Sequence, residues 1–541
     1  MLGAGDASGV PRPKHLLPLH PNPMRNRPLS AVLLLSACLA GCTRPAMTSP
    51  APQAQVQASA AAPQIQPFDQ WFVDAANGQK TGWSRRSLAQ NDKGQWLSTE
   101  RSSSVEKHGD EKVEATGLKE TLEAANHQLI SITSTSTQSS AKNTQTIRQV
   151  WLFTPKGVEL TSDQGGSVVK RLLPPVKGTW LAPALAAATH RAHHLAGDKT
   201  FDIPSLDLGL GSAPFMAHYE RIGEENLKLP IGPVKTVKYK MTYSNLPGVV
   251  SYEWYDADGK FVNNSYTMSG MEFTNQAATA ELAQATFVPT EMTGVSVVSV
   301  DRPIPTPALL QKAVYELVYS PECPLLPATV ADQKVEKLGP GRARVTVELG
   351  ANNPSPPPTA DDLGTSIQVD WKDPSVLALL PQIFDRFGDE KLSDEKRANE
   401  TTRFVSRYMA DGACLAVANG TASATAKSKM GDCTEHATLL TALLRAQGIP
   451  ARGATGMAYA DEEGFVGHQN AFIFHMWTQA WLKDDNGKAR WVNLDAALRR
   501  YDAVHILLGT SSLDDATGAD EEAKVMPLME SLKVKLIETA K

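Results

Sequence analysis

From Phe68 to about Val298 the chain alternates apolar and polar residues in short runs broken by turn residues, a pattern that points to an antiparallel sheet. Val237, Tyr239, Met241 and Tyr243 alternate with Lys238, Lys240 and Thr242, as a half-buried strand requires. Asn77-Gly78 stands between Trp71–Asp74 and Thr81–Ser84, and Asp258-Gly259 between Ser251–Tyr255 and Lys260–Tyr266. Both pairs suit two-residue hairpin turns, which need positive φ. Thr146–Thr154 and Gly157–Thr161 suggest one more hairpin. The spacing therefore predicts a mostly antiparallel β domain over 68–298, with a helix near Ala182–Ala196. His190, His193 and His194 are read as a solvated helix end or loop rather than a metal site.

Pro303, Pro305 and Pro307 mark a boundary, followed by a connecting region over 299–370. Val314–Ser320 and Arg342–Leu349 read there as strands, and Asn353–Pro358 as a proline-rich link. Asp373-Pro374 opens a helical pattern, with Pro where a first turn tolerates it. A second helix is expected after Ser393 or Asp394 and runs to about Met409, with Phe404, Val405 and Tyr408 on one face. Residues 511–541 read as an acidic stretch followed by a helix. The overall class is α+β. With 541 residues there is length for several cores. A formal net charge of −5 leaves no basic excess for phosphates, which argues against a nucleic-acid partner.

The N-terminus reads as an address. Ser30–Leu39 is an apolar run of about ten residues, too short to span a bilayer but suited to a signal peptide. Arg25 and Arg27 precede it, and Met24 fits as the start, leaving 1–23 outside the translated or ordered protein. The run ends Leu39-Ala40-Gly41-Cys42, which resembles a bacterial lipobox and implies cleavage of 24–41 and acylation of Cys42. Such acylation anchors a protein to a membrane without a spanning helix. Thr43, not Asp, follows the cysteine, which by Gram-negative sorting rules implies the outer membrane, facing the periplasm. Residues 42–67 are Ala, Pro, Gln, Ser and Thr with few large apolar groups, a flexible tether.

The chemistry lies in 431–508. Gly431-Asp432-Cys433-Thr434-Glu435-His436-Ala437 leads an apolar helical run that stops at Gly448-Ile449-Pro450. Asp432 and Glu435 fit a capping box, which puts Cys433 at the first helical position. Unpaired amides and the helix dipole there favour thiolate. A nucleophilic cysteine needs a base, and the base an orienting acceptor. Ala471–Leu482 alternates as a strand with Ile473, His475, Trp477, Gln479 and Trp481 on one face. Asn486-Gly487 turns the chain, and Trp491, Asn493 and Asp495 share a face of the returning strand. This hairpin can set Asp495 beside His475, giving Cys433, His475 and Asp495 as nucleophile, base and orienter.

The blocks Gly431–Ala437, Gly448–Arg452, His475-Met476-Trp477 with Trp481, and Trp491–Asp495 resemble the transglutaminase-like (papain-like) superfamily over roughly 370–510. Met476 departs from the alanine common between the His and the Trp. The resemblance implies an α+β domain over 371–510 that attacks an amide bond of a peptide or protein to give a thioester, with water or an amine as acceptor and no cofactor or metal. The superfamily also contains catalytically inactive scaffolds, so an inactive binding module in an envelope assembly stands as the alternative. Alternative roles stand beside these: Asn493 as orienter, His468 as base, Glu435 or His436 in a direct role, and a zinc site of Cys433, His436, His468 and His475. In an oxidising compartment Cys323 and Cys414 can pair and leave Cys433 free.

Overall fold

The computed structural model describes residues 63–108, 111–208, 213–268, 270–292, 297–323, 325–388, 390–410, 420–460, 470–483, 487–515, 518, 521, 525–529 and 531–541. The chain is mostly β, with a large N-terminal antiparallel sheet and its longer helices, one excepted, gathered between Pro374 and Ala446. The lipobox, residues 42–62 of the expected tether, Cys414 and His468 lie outside the described residues; of the tether's described end, Ile65 packs against the cluster of Leu88, Trp96 and Ala184. Among those described, no helix is long and apolar enough to cross a membrane.

The first sheet is a meander whose fourteen consecutive strands between Phe68 and Ala278 are each antiparallel to their neighbours. Asn77 and Gly78 turn the first hairpin with φ of 47° and 75°, the doubly positive geometry that matches strand twist. The sheet runs from Ser167–Leu173 at one edge to Thr200–Ser205 at the other. The two halves join where Phe68–Ala76 pairs with Met271–Ala278. The helix Pro183–Ala196 links the two edges across one face. Its cap residue Ala182 offers no side-chain acceptor; the buried Glu123 accepts from the Ala184 amide instead, at 2.6 Å.

The histidines of this helix differ from the sequence expectation. His190 and His194, four residues apart, share the inward face and are buried, while His193 is half-buried, stacks on Phe201 and pairs with Asp198 at 2.6 Å. His190 stacks on Tyr255 with ring centroids 3.8 Å apart and meets the edges of Phe201, Tyr219 and Tyr239. Neither of its nitrogens has a hydrogen-bond partner.

A second sheet orders Gln333–Gly339, Arg342–Glu348, Lys312–Val318 and Lys533–Ala540. The last of these is a strand where a C-terminal helix was expected: among the described residues beyond Ser511, only Gly518, Glu521 and Met526–Met529 are helical, and Lys533–Ala540 is extended. Val534 and Leu536 are buried and alternate with exposed Lys533 and Lys535, so the segment follows a period of two rather than 3.6. The third sheet runs Val297–Ser299, Ala471–Lys483, Ala451–Ala460 and His505–Ser511, with Ala489–Leu494 also on Ala471–Lys483. Sheets two and three share a core in which Tyr315, Leu317 and Val345 meet Phe472, Ile506 and Val534.

Polar contacts join the first sheet to the rest. Arg171 reaches Asp515 (3.2 Å) and the Ser366 carbonyl (3.0 Å), and the Thr421 amide donates to Gln164 (2.7 Å). The helices Asp394–Tyr408, Ala422–Ser428 and Cys433–Ala446 then pack with the third sheet around Leu440, Leu443 and Ala480.

Burial and the neighbouring His194 push the His190 imidazole down to about 3. Below pH 6.5 the unfolded chain takes up a proton that folded His190 refuses, so stability falls with pH. At pH 5 this histidine should account for a loss of about 2 kcal/mol. His190→Phe keeps the ring stack and should lose that share of acid sensitivity in urea unfolding at pH 7 and pH 5. An identical pH dependence in variant and parent would refute the assignment.

Candidate active site

The helix Cys433–Ala446 begins at a built cap. The Thr434 amide donates to Asp432 Oδ1 at 2.8 Å, and the Asp432 amide donates back to Glu435 Oε2 at 3.0 Å. Glu435 Oε1 also accepts from the Gly420 amide, at 2.8 Å. Gly431, at φ 149°, has no room for a side chain: a Cβ there would lie 2.4 Å from Glu435 Cβ. Glu435 is therefore a buried cap. His436 Nδ1 donates to the Asp432 carbonyl at 2.6 Å and is buried on the helix.

Cys433 sits at the first helical residue but is only 5% exposed. Burial, with the Asp432 carboxylate beside it, pushes the thiol well above its ordinary range, and the Met476 amide at the sulfur opposes this. The expected preference for thiolate at the helix terminus is therefore opposed by burial, which disfavours the charged form of the thiol.

His475 Nε2 and Asp495 Oδ2 are 2.8 Å apart, with both side chains buried. The hairpin brings them together through the pairs Gln479–Asn493 and Trp481–Trp491. Asp495 Oδ1 accepts from the amides of Ala497 (2.8 Å) and Leu498 (2.9 Å). Because the carboxylate only accepts, His475 carries its hydrogen on Nε2. Its Nδ1 is buried without a hydrogen-bond partner. Asn493 has other work: its Oδ1 accepts from Trp477 Nε1 and Gln479 Nε2, both at 2.9 Å, and its Nδ2 donates to Asp332. It positions Trp477 instead of His475.

One residue of the site was not anticipated. His505 Nε2 lies 3.1 Å from Asp495 Oδ2, the oxygen already bound by His475. His505 Nδ1 lies 2.9 Å from Asp502 Oδ1. The strands of His475 and His505 flank Ala451–Ala460, where Gly456 pairs with His475. A Cβ at Gly456 would come within 2.1 Å of the Ile506 carbonyl and 2.8 Å of the Trp477 ring. The bare backbone at this position keeps Trp477 and the His505 strand in place. The sequence signal was present, a histidine ten residues past Asp495 opening the next apolar run, but its partner is set by strand order.

Among the described residues, His475, Asp495 and His505 bring three ligand-type atoms within 4.8 Å of one another. Both Nε2 atoms there hydrogen-bond one carboxylate oxygen, which is a set of donors around an acceptor. Of the alternative zinc set, His436 Nδ1 is held by the Asp432 carbonyl, and His468 lies outside the described residues. Cys323 is buried in the core shared by sheets two and three; its expected partner Cys414 lies outside the described residues.

Residues 388–496 match the transglutaminase-like superfamily, a span that contains Cys433, His475 and Asp495. No curated protein matches the chain. Three solved structures are similar at low levels. A β-barrel-like protein with a domain of unknown function from Brucella abortus shares 8% identity over 40% of this chain and 98% of its own, with a TM-score of 0.31. A candidate cysteine protease from Cytophaga hutchinsonii shares 14% over 42% and 86%, at 0.24. A candidate protease from Parabacteroides distasonis shares 11% over 71% and 69%, at 0.18. At such scores these likenesses carry no argument of their own.

Asp495 and Asp502 raise the His505 imidazole to about 9 against the desolvation that lowers it. A folded value above the unfolded one means stability fully present below pH 6.5 and lost as pH rises to 9. The window is worth on the order of 3 kcal/mol. Urea unfolding at pH 6, 7.5 and 9 should show this decline, and His505→Gln should flatten it; a variant with the parent's slope would exclude His505 as its source.

Proposed function

We propose that the transglutaminase-like domain of this chain, residues 388–496, is a thiol enzyme that attacks amide bonds of peptides or proteins in the bacterial cell envelope. The observation that carries the reading is the state of His475. Asp495 holds its Nε2, while its Nδ1 is buried with no hydrogen bond, on a strand packed against the helix that Cys433 opens. A basic nitrogen without a partner in a buried site is poised to take a proton.

In the proposed reaction, the Cys433 proton passes to His475 Nδ1 as sulfur bonds to the carbonyl carbon. The amide of Cys433, at the first helical position and so without an intrahelical acceptor, faces the developing oxyanion. His475 returns the proton to the amine as the C–N bond breaks, leaving a thioester. Water or a second amine, deprotonated by the same nitrogen, then releases the acyl group, giving hydrolysis or transamidation. Because burial keeps the resting thiol neutral, thiolate forms together with attack.

One observation favours a second reading, an inactive scaffold: the thiol is buried and its ordinary ionisation suppressed. The envelope location rests on Leu39–Cys42, which supports lipid anchoring at Cys42 and a periplasm-facing outer-membrane site.

The pH dependence of Cys433 alkylation decides between the readings, using the chain with Cys42→Ser to prevent acylation. An enzyme should lose roughly 100-fold in alkylation rate near neutral pH in His475→Ala. A slow thiol indifferent to that change would leave the scaffold.

A further inference from the structure

We propose that His505 is a positioning residue of this site: as an imidazolium fixed between Asp495 and Asp502, it shares the Asp495 carboxylate with His475 and weakens the hold of His475 on a proton. The inference rests on the reading of Cys433, His475 and Asp495 as the reacting set.

The charge on His505 follows from its contacts. Nε2 faces Asp495 Oδ2 at 3.1 Å and Nδ1 faces Asp502 Oδ1 at 2.9 Å. Both acceptors are carboxylate oxygens, so each nitrogen must supply a hydrogen, and a ring with two N–H groups is cationic. The Asp502 amide also lies near Nδ1, but at the longer distance of 3.3 Å. A bare Nδ1 accepting that amide would set its lone pair against the carboxylate. His505 is 2% exposed, so water screens the charge weakly.

The groups facing it are few. Asp495 and His475 come from the hairpin, with the His475 ring centroid 5.9 Å away. Tyr501 packs at 4.8 Å, and Tyr315 from the second sheet donates to the Ala503 carbonyl at 3.1 Å. Arg500 pairs with Asp502 at 3.3 Å. No other carboxylate among the described residues contacts the ring.

The consequence for His475 is electrostatic. Asp495 Oδ2 receives two N–H donors and Oδ1 two amides, so the carboxylate is saturated. Its charge is divided between two imidazoles. When His475 accepts the thiol proton, two imidazolium rings flank one carboxylate, and like charges at that range disfavour the protonated form. His475 therefore takes the proton only as attack proceeds and yields it readily to the departing amine. The capped, buried thiol and the shared carboxylate act in the same direction: neither stabilises a resting thiolate–imidazolium pair.

The test uses the full chain labelled with ¹⁵N in histidine, carrying Cys433→Ala so that only the imidazoles are followed. His475 is titrated by NMR in this parent, in His505→Gln, which removes the charge, and in Asp502→Asn, which keeps the ring and removes the carboxylate that holds its second hydrogen. The expected result is a rise in the His475 titration midpoint, on the order of one pH unit in His505→Gln and smaller in Asp502→Asn. Thermal melting identifies which variants are folded. A midpoint that is unchanged or lowered in every folded variant overturns the proposal, because a purely structural His505 would not move it. No turnover is required, so the outcome is independent of the alkylation experiment, which judges the thiol itself.

Discussion

A buried carboxylate organises this domain. An ionised group removed from water is tolerated only where partners satisfy its lone pairs, and Asp495 has four. Two are amides of the turn that follows it, so the end of its strand is shaped around its own side chain. The other two are imidazoles from different strands, His475 and His505. The carboxylate thereby pins the relative placement of three strands, and with it the placement of His475 relative to the helix carrying Cys433. The same donors hold the Asp495 carboxyl far below the usual carboxylate range.

The surroundings reinforce that placement by polar ties as much as by apolar packing. Asn493 links Trp477, Gln479 and Asp332. Arg445, near the end of the Cys433 helix, is buried and donates to the carbonyls of Gly364, Ala451 and Ser512, joining three segments at one guanidinium. Removing either would strand buried polar atoms rather than merely open a void.

What could be seen in the sequence was local. Period-two alternation, the turn pair Asn77-Gly78 and the capping residues Asp432 and Glu435 act over a few positions, and the structure follows them. The face shared by Trp491, Asn493 and Asp495 was legible for the same reason, since alternation assigns faces before partners are known. What was hidden depends on distant chain. His505 meets Asp495 because its strand lies across Ala451–Ala460, an order no spacing encodes. His190 and His194 are buried because an aromatic cluster on the sheet receives them. Lys533–Ala540 is a strand because Lys312–Val318 offers an edge. The neutral thiol follows from how deeply Cys433 is packed, which a helix cap does not reveal.

That terminal strand has a consequence for the order in which the molecule is made. Each half of the first sheet is built from neighbours in sequence, so a chain emerging N-terminus first can form those hairpins early, and the pairing of Phe68–Ala76 with Met271–Ala278 joins the halves before the second sheet begins. The second sheet cannot close in that way, because Lys312 waits for Glu538, 226 residues later. The core it shares with the His475 and His505 strands is completed by Val534 and Leu536. A nascent chain therefore carries a finished first sheet ahead of an unfinished thiol site, and the site matures only as the last residues arrive.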